Sequence, residues 1–402
     1  ITVNVYEDGC EPLIIGELYG GGYNAPYSIY GCTQDGDTWT ANTEGDLNFD
    51  QETKGRAAIE VNVYSCTSIG KVFGGGFGST AKVLGNSHIW INTMQGIVGE
   101  VKKEYSEGVF IGKIGQVYGG GNAAPIEGDV TIDIGTASIN DEYASGEPPE
   151  KIGINIVSAS DYLNPEANSN ISLTAGVYGG GLSADVKGNT TLNIGTVSQN
   201  QGINIGGDIF GGGFGETTHV TGNVTVNIGA DTGVAPAHNY VGYAQITGDV
   251  YGGSAKGTVN STNNSTVNTY VPDPEHPETT ANCYTKVNFY GGTITGNIHG
   301  GGLGEDNEGT ENDHAADVYG PVTVTMEKGT TTNTVVENVF GCNNVLGTPK
   351  NSAIVNINGG TVNQSVYGGG KDAAYTPTES TSNYPAVYIN NGTVMENVLG
   401  GG

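Results

Sequence analysis

Apolar and polar residues alternate strictly in many short stretches of this chain, and these stretches share one pattern. The clearest copy is Val224-Thr225-Val226-Asn227-Ile228, which a glycine follows. A period of two residues predicts a half-buried strand, with Val224, Val226 and Ile228 facing the core and Thr225 and Asn227 facing outward. Similar stretches occur at 128–135, 186–194 and 354–357.

A second pattern, a glycine triplet or a variant of it that follows an aliphatic and usually an aromatic residue, recurs ten times along the chain. The first copy is Leu18-Tyr19 before Gly20-Gly21-Gly22. Such recurrence indicates that each copy belongs to one structural unit that stacks on the next. The residues at the position before the glycines, which we name the aromatic column, are Tyr19, Phe73, Tyr118, Tyr178, Phe210, Tyr251, His299, Phe340 and Tyr367.

Together the two patterns predict an all-β fold, a β-solenoid of the parallel β-helix type with about ten coils in one continuous array over residues 1–402. A propeller is the main alternative. Its blades need four strands each, and the shortest repeat, 27 residues from Phe340 to Tyr367, is short for that. Breaks in the pattern predict inserted loops near 33–57, 138–170, 231–246, 270–283, 304–316 and 371–385.

Glycine at the corners fits a solenoid for two reasons. Corner residues often require a positive φ, which glycine adopts without a steric penalty. The corners of adjacent coils also lie only about 4.8 Å apart, which leaves little room for side chains. A phosphate-binding role would need a following helix and a lysine, and the sequence pattern offers neither.

Composition limits the partners. The chain has 69 glycines among its 402 residues, and 14 basic residues against 42 acidic ones give a formal net charge of −28. Such a surface repels phosphate backbones, so we expect no nucleic-acid partner. We also expect no membrane insertion of this segment, because no apolar stretch approaches the roughly 20 residues of a span.

Alternation places the aromatic column on the outside of the coils. Flat aromatic strips stack on sugar rings, so glycan binding is one interpretation. The other, which we favour, is that the rings stabilise the solenoid by contacting each other or lie under the loops. An outward row of amides, expected to form hydrogen bonds from coil to coil, consists of Asn4, Asn62, Asn193, Asn227, Asn288 and Asn356.

Three further features suggest chemistry only weakly. Cys10 and Cys66 follow similar strands, so a disulfide between neighbouring coils and a pair of small buried thiols are both open. The segments 46–50 and 301–306 resemble the start of calcium loops, although Glu308 stands where the second motif needs a large apolar residue. We expect solvated acidic loops there rather than structural calcium, and no other cofactor.

Catalysis is not expected. β-Helix enzymes that cleave acidic polysaccharides need a basic residue near the scissile bond, and Arg56 is the sole arginine, inside a predicted insertion. Hydrolases need two or three converging carboxylates, whereas Asp129, Asp133, Asp208 and Asp249 occupy different strand registers. A polysaccharide-degrading enzyme is therefore the least favoured alternative.

The V-T-V-N-I-G strand within 222–229 and the G-D-V-Y-G-G corner at 248–253 resemble the glycine-rich β-solenoid repeats of large secreted bacterial surface proteins and adhesins. This resemblance implies an extracellular, cell-surface rod, stalk or filament. The chain opens on an apolar strand and closes on a corner triplet. We therefore expect its partners to be further repeats of the same protein or end-to-end copies, with glycans as an alternative ligand.

Overall fold

The computed structural model describes residues 1–5, 12–27, 32–35, 38–41, 59–63, 66–91, 113–136, 152–156, 176–196, 201–273, 275–307, 313–330, 332–378 and 385–402. Every regular element in these ranges is a β-strand, and most strands pair in parallel with the equivalent strand of the next turn of chain. The protein is an all-β solenoid of the parallel β-helix kind, as its repeats predict.

Ten strands, one from each coil, form the first sheet. Each pairs in parallel and in register with the strand of the coil before it, as Val224–Ile228 does with Thr190–Ile194. The strands of coils 1 to 10 are, in order, Thr2–Val5, Ile59–Val63, Ser87–Ile91, Val130–Ile134, Thr190–Ile194, Val224–Ile228, Thr285–Phe289, Val322–Met326, Ala353–Ile357 and Ala386–Ile389.

The second sheet has one strand per coil in coils 1 to 3 and two short strands per coil afterwards. Lys113–Tyr118 of coil 3 pairs through its start with Ile152–Ile156 and through its end with Gly176–Tyr178. The strands, in chain order, are Ile14–Tyr19, Ser68–Phe73, Lys113–Tyr118, Ile152–Ile156, Gly176–Tyr178, Gln201–Ile205, Asp208–Phe210, Ala244–Ile246, Val250–Tyr251, Gly292–Ile294, Ile298–His299, Thr334–Val336, Val339–Phe340, Thr361–Val362, Val366–Tyr367, Thr393–Val394 and Val398–Leu399.

The third side of the solenoid is narrow. Among the described residues its one strand pair is His219–Val220 with Thr258–Val259, and in the other coils the contacts are single parallel bridges, such as Val83 to Ile126. In coils 1 to 9 the corner that follows the aromatic column, a glycine triplet in all but coils 6 and 8, connects the second sheet to this third side.

Hairpins extend from the solenoid at three of the predicted insertions. The antiparallel pairs are Cys32–Asp35 with Thr38–Ala41, Ala230–Asp231 with Tyr240–Val241, and Thr269–Tyr270 with Ala281–Asn282.

Two of the predicted loops include residues that form strands in the structure. Ala244–Ile246, within the predicted loop 231–246, and Ile152–Ile156, within the predicted loop 138–170, are strands of the second sheet. Ala244–Ile246 has only three residues, too few for alternation to stand out from a loop, although Ala244 and Ile246 are both buried.

The inward side chains of the coils form one continuous apolar core. Val224, Val226 and Ile228 have no exposed area, while Thr225 and Asn227 between them are half-buried, as alternation predicts. At the last two inward positions, apolar core residues repeat in every first-sheet strand from coil 2 to coil 9. Each coil therefore buries its apolar face against its neighbours rather than within itself.

The triplet glycines are required because there is no room for a side chain at the corner. They do not have a positive φ, so the expectation that the corners need one is wrong. Glycines with positive φ in the described ranges lie elsewhere, for example Gly195 at 76° and Gly229 at 81°, directly after first-sheet strands. A Cβ on Gly180, in contrast, would lie 2.7 Å from the backbone nitrogen of Gly213 in the next coil. The coils pack backbone against backbone at this corner, which excludes any side chain.

Candidate functional site

The nine residues of the aromatic column form a single continuous stack. Neighbouring ring centroids are 4.6 to 5.1 Å apart, and the ring planes differ by 3° to 9°. This spacing matches the roughly 4.8 Å rise that parallel pairing imposes from coil to coil. The stack therefore follows from the register of the second sheet, which places each ring directly above the previous one.

Most of the aromatic column is buried, as the favoured interpretation allows, and the alternative of an exposed aromatic strip is wrong for seven of its nine members. From Phe73 to Phe340 no ring residue has more than 6% of its surface exposed, and His299 has none. The two outermost members, Tyr19 and Tyr367, are half-buried. A sugar ring has no open aromatic face to stack on along the central part of the column.

Apolar residues that the sequence reasoning missed cover this column. Leu182, Phe214 and Leu303 pack against it, and the ring of Phe214 meets that of Tyr178 edge-on at 5.6 Å between centroids. Each of the three directly follows the last glycine of a triplet. That position was a usable signal, because an apolar residue there must fold back over the column once the triplet has turned the chain.

The buried tyrosine hydroxyls of the column are neutral, and that of Tyr251 forms hydrogen bonds. Burial raises the pKa of the Tyr118, Tyr178 and Tyr251 phenols. The Tyr251 hydroxyl donates to Asp249 Oδ2 at 3.1 Å and accepts from Asn344 Nδ2 at 2.7 Å. The column is thus tied to the adjoining corner by hydrogen bonds as well as by ring contacts.

His299 is the one imidazole in the column. Its ring is stacked between those of Tyr251 and Phe340, at 4.8 Å from each. Neither ring nitrogen has a hydrogen-bond partner, and Nε2 lies 3.6 Å from Asp249 Oδ2, which is too long for a hydrogen bond. Burial lowers the pKa of His299, so the imidazole is neutral within the fold at pH 7.

The predicted amide row forms hydrogen bonds from coil to coil, but in two separate groups. Asn62 Nδ2 donates to Asn4 Oδ1 at 3.0 Å. A longer run in coils 4 to 7 links Asp133, Asn193, Asn227 and Asn288 through three bonds of 2.8 Å. Other residue types occupy the same row in coils 3, 8 and 10, where Trp90, Thr325 and Tyr388 stand.

Asn356 is the remaining predicted member of the amide row. It lies in register between Thr325 and Tyr388, so neither neighbouring coil offers it an amide at this position. Asp133, which the prediction did not include, begins the longer run and also lies 2.6 Å from His88 Nε2 through its Oδ2.

The structure describes only part of the predicted cysteine pair and of the two calcium-like segments. Cys66 is buried, and Cys10 lies outside the described residues, so their pairing stays a prediction. The calcium-like segment 46–50 is also outside the described residues. In the segment 301–306, Glu305 Oε2 lies 2.6 Å from Lys256 Nζ, so a lysine already neutralises this carboxylate.

The described residues contain no group of three or more His, Cys, Asp or Glu side chains arranged to hold a metal ion. In the same part of the chain, no helix has the length and apolar character needed to cross a bilayer. Comparisons with protein-family models, with curated proteins and with solved structures find no match to this chain.

Proposed function

We propose that this chain is a structural element, a stiff rod of the kind that forms stalks or filaments, and that it acts without catalysis. The observation that carries the proposal is the unbroken stack of nine rings, which crosses every interface from coil 1 to coil 9. Stacked aromatic pairs contribute about 0.5–1.5 kcal/mol each beyond their burial. Eight such contacts along one line, beside two in-register sheets, resist bending and separation of the coils.

The repetition of the coils also supports self-association of the chain. Each coil presents to the next the same hydrogen-bonding edge, apolar core and glycine corner, so a further coil can add by the contacts already used inside the chain. That coil can belong to the same protein or to a second copy. The net charge of −28 opposes side-by-side association of such rods. The resemblance to bacterial surface repeats supports an extracellular location.

Electron microscopy of the purified 402-residue chain tests the structural role. Ten coils with a rise of about 4.8 Å each give a rod roughly 45–50 Å long. We expect straight rods of at least this length, and fibres in which the same axial repeat continues if copies add end to end. Compact or irregular particles without an axial repeat would contradict the proposal.

A further inference from the structure

A groove lies on the outer face of the first sheet, beside the hairpin Ala230–Asp231 with Tyr240–Val241 that interrupts coil 6. This open groove has a volume of about 380 Å³, which is within the range of small-molecule sites. Most such sites are lined by apolar groups. Seven of the nine residues that line this groove carry a polar group, so an occupant meets polar groups both on the floor and on the wall.

Part of the amide row forms the floor of the groove, across coils 4, 5 and 6. Asn193 Nδ2 donates to Asp133 Oδ1, and Asn193 Oδ1 accepts from Asn227 Nδ2, both at 2.8 Å. An asparagine amide has two N–H donors and two acceptor lone pairs. The row uses one of each, which leaves each amide one donor and one acceptor for a ligand.

The wall of the groove is held in place by its own contacts. Tyr290 stacks on Tyr240 at 5.5 Å, and Tyr240 stacks on His238 at 5.5 Å. His238 Nδ1 lies 2.6 Å from Asp231 Oδ2, while Asp231 Oδ1 accepts the backbone N–H of Asn239 at 2.9 Å. The Asp231 carboxylate and the Tyr290 side chain therefore line the groove in fixed positions and need little ordering when a ligand arrives.

We propose that this groove binds a neutral carbohydrate. A sugar hydroxyl both donates and accepts, and it matches a floor on which donors and acceptors alternate from coil to coil. A carboxylate has about four acceptor sites. Asp133 uses two of them, for Asn193 and His88. Asp231 uses three, for Gly233, Asn239 and His238, so each carboxylate still has an acceptor site for a hydroxyl. Tyr290 also lines the groove. The same carboxylates and the net charge of −28 repel uronic acids and sulfated sugars. This surface is distinct from the buried aromatic column and does not depend on the structural role.

A glycan array with the intact chain, followed by calorimetry on the neutral oligosaccharides it retains, tests the site. The array carries neutral glucans, mannans, galactans and N-acetylhexosamine oligomers beside polygalacturonate as the anionic probe. Asn193→Ala removes a floor amide, and Tyr290→Phe removes only a hydroxyl. Asn62→Ala is the matched control, because Asn62 occupies the same row and makes the same kind of amide bond outside the groove.

We expect a neutral oligosaccharide to bind, and Asn193→Ala and Tyr290→Phe each to weaken it about two- to tenfold, the effect of one lost hydrogen bond. Asn62→Ala should leave the affinity unchanged. Because Tyr290→Phe keeps the ring and its stacking, it reports on the groove even if Asn193→Ala unfolds. Retention of polygalacturonate alone, no neutral ligand at about 1 mM, or equal effects of Tyr290→Phe and Asn62→Ala would each overturn the proposal.

Discussion

Replacing His299 by phenylalanine should stabilise the solenoid. The ring of His299 has no exposed area and is stacked between Tyr251 and Phe340, with ring planes within 9° of each. Phenylalanine already occupies this position of the column at 73, 210 and 340. The substitution therefore keeps the ring contacts and removes two nitrogens that have no hydrogen-bond partner.

The expected gain follows from the cost of those nitrogens. A buried polar group without a partner costs about 1–3 kcal/mol, and a phenyl ring does not carry this cost. Asp249 retains the backbone N–H of Asn297 at 2.7 Å and the Tyr251 hydroxyl at 3.1 Å. Since the carboxylate keeps these donors, we expect a net gain of about 1–3 kcal/mol in the free energy of unfolding at pH 7.

The gain should grow as the solution becomes more acidic. Because burial lowers the folded-state pKa of His299 below its ordinary value of 6.5, the unfolded chain takes up the proton first. The stability of the wild-type chain is then present above pH 6.5 and is lost as the pH falls from there toward the folded pKa. Within that window the loss is up to about 1.4 kcal/mol per pH unit, and the phenylalanine variant does not suffer it.

Urea unfolding followed by circular dichroism, at about pH 7.5 and about pH 5.5, measures both effects. His276→Phe is the control, because His276 is an exposed histidine outside the column. We expect a higher midpoint for His299→Phe at both pH values, with the larger difference at the lower one. A midpoint below that of the wild-type chain at both would refute the reasoning, since it would mean that the imidazole is a stabilising partner of Asp249.

Three further predictions follow from the packing. Gly180→Ala should lower the urea midpoint by the equivalent of about 1–3 kcal/mol, because the new Cβ would lie 2.7 Å from the backbone nitrogen of Gly213. Gly16→Ala is the control and should change the midpoint little, because a Cβ there would meet no atom within 4 Å. Tyr178→Ala should cost about 3–5 kcal/mol in the same assay, while Tyr178→Phe keeps the stacked ring and should be nearly neutral; equal losses would contradict the stack's role. Burial raises the pKa of Cys283 to about 11 and that of Cys342 to about 12, so mass spectrometry after iodoacetamide treatment should find neither alkylated at about pH 8 until urea unfolds the chain.

The fold could be predicted from the sequence because the same constraint recurs in every coil. Strict alternation in Val224–Ile228 assigned three residues to the core, and the structure buries all three. The glycine triplets marked the corners, where the adjacent backbone leaves no room for a Cβ. Repetition turned these weak local signals into a strong one, since each coil must present the same surfaces to its two neighbours.

The covering of the aromatic column does not follow from strand alternation, although the apolar residue that follows three of the triplets offers a signal for it. Alternation shows which side of a strand a residue faces, but not whether another segment covers that side. The chain after the triplet folds back, and Leu182 and Phe214 close over the rings. The groove beside Asp231 was equally hidden, because it needs a hairpin from coil 6 placed against amides of coils 4 and 5.

Distances between spin labels test the stacked-coil arrangement most directly. Residue 60 of coil 2 shares one outward row with residues 191, 286 and 386 of coils 5, 7 and 10. With a rise of about 4.8 Å per coil, labels at 60 and at each of these positions in a cysteine-free background should lie about 14, 24 and 38 Å apart. A linear increase with coil number is the result that a solenoid predicts. A separation that rises and then falls, as in a closed ring of blades, would contradict it.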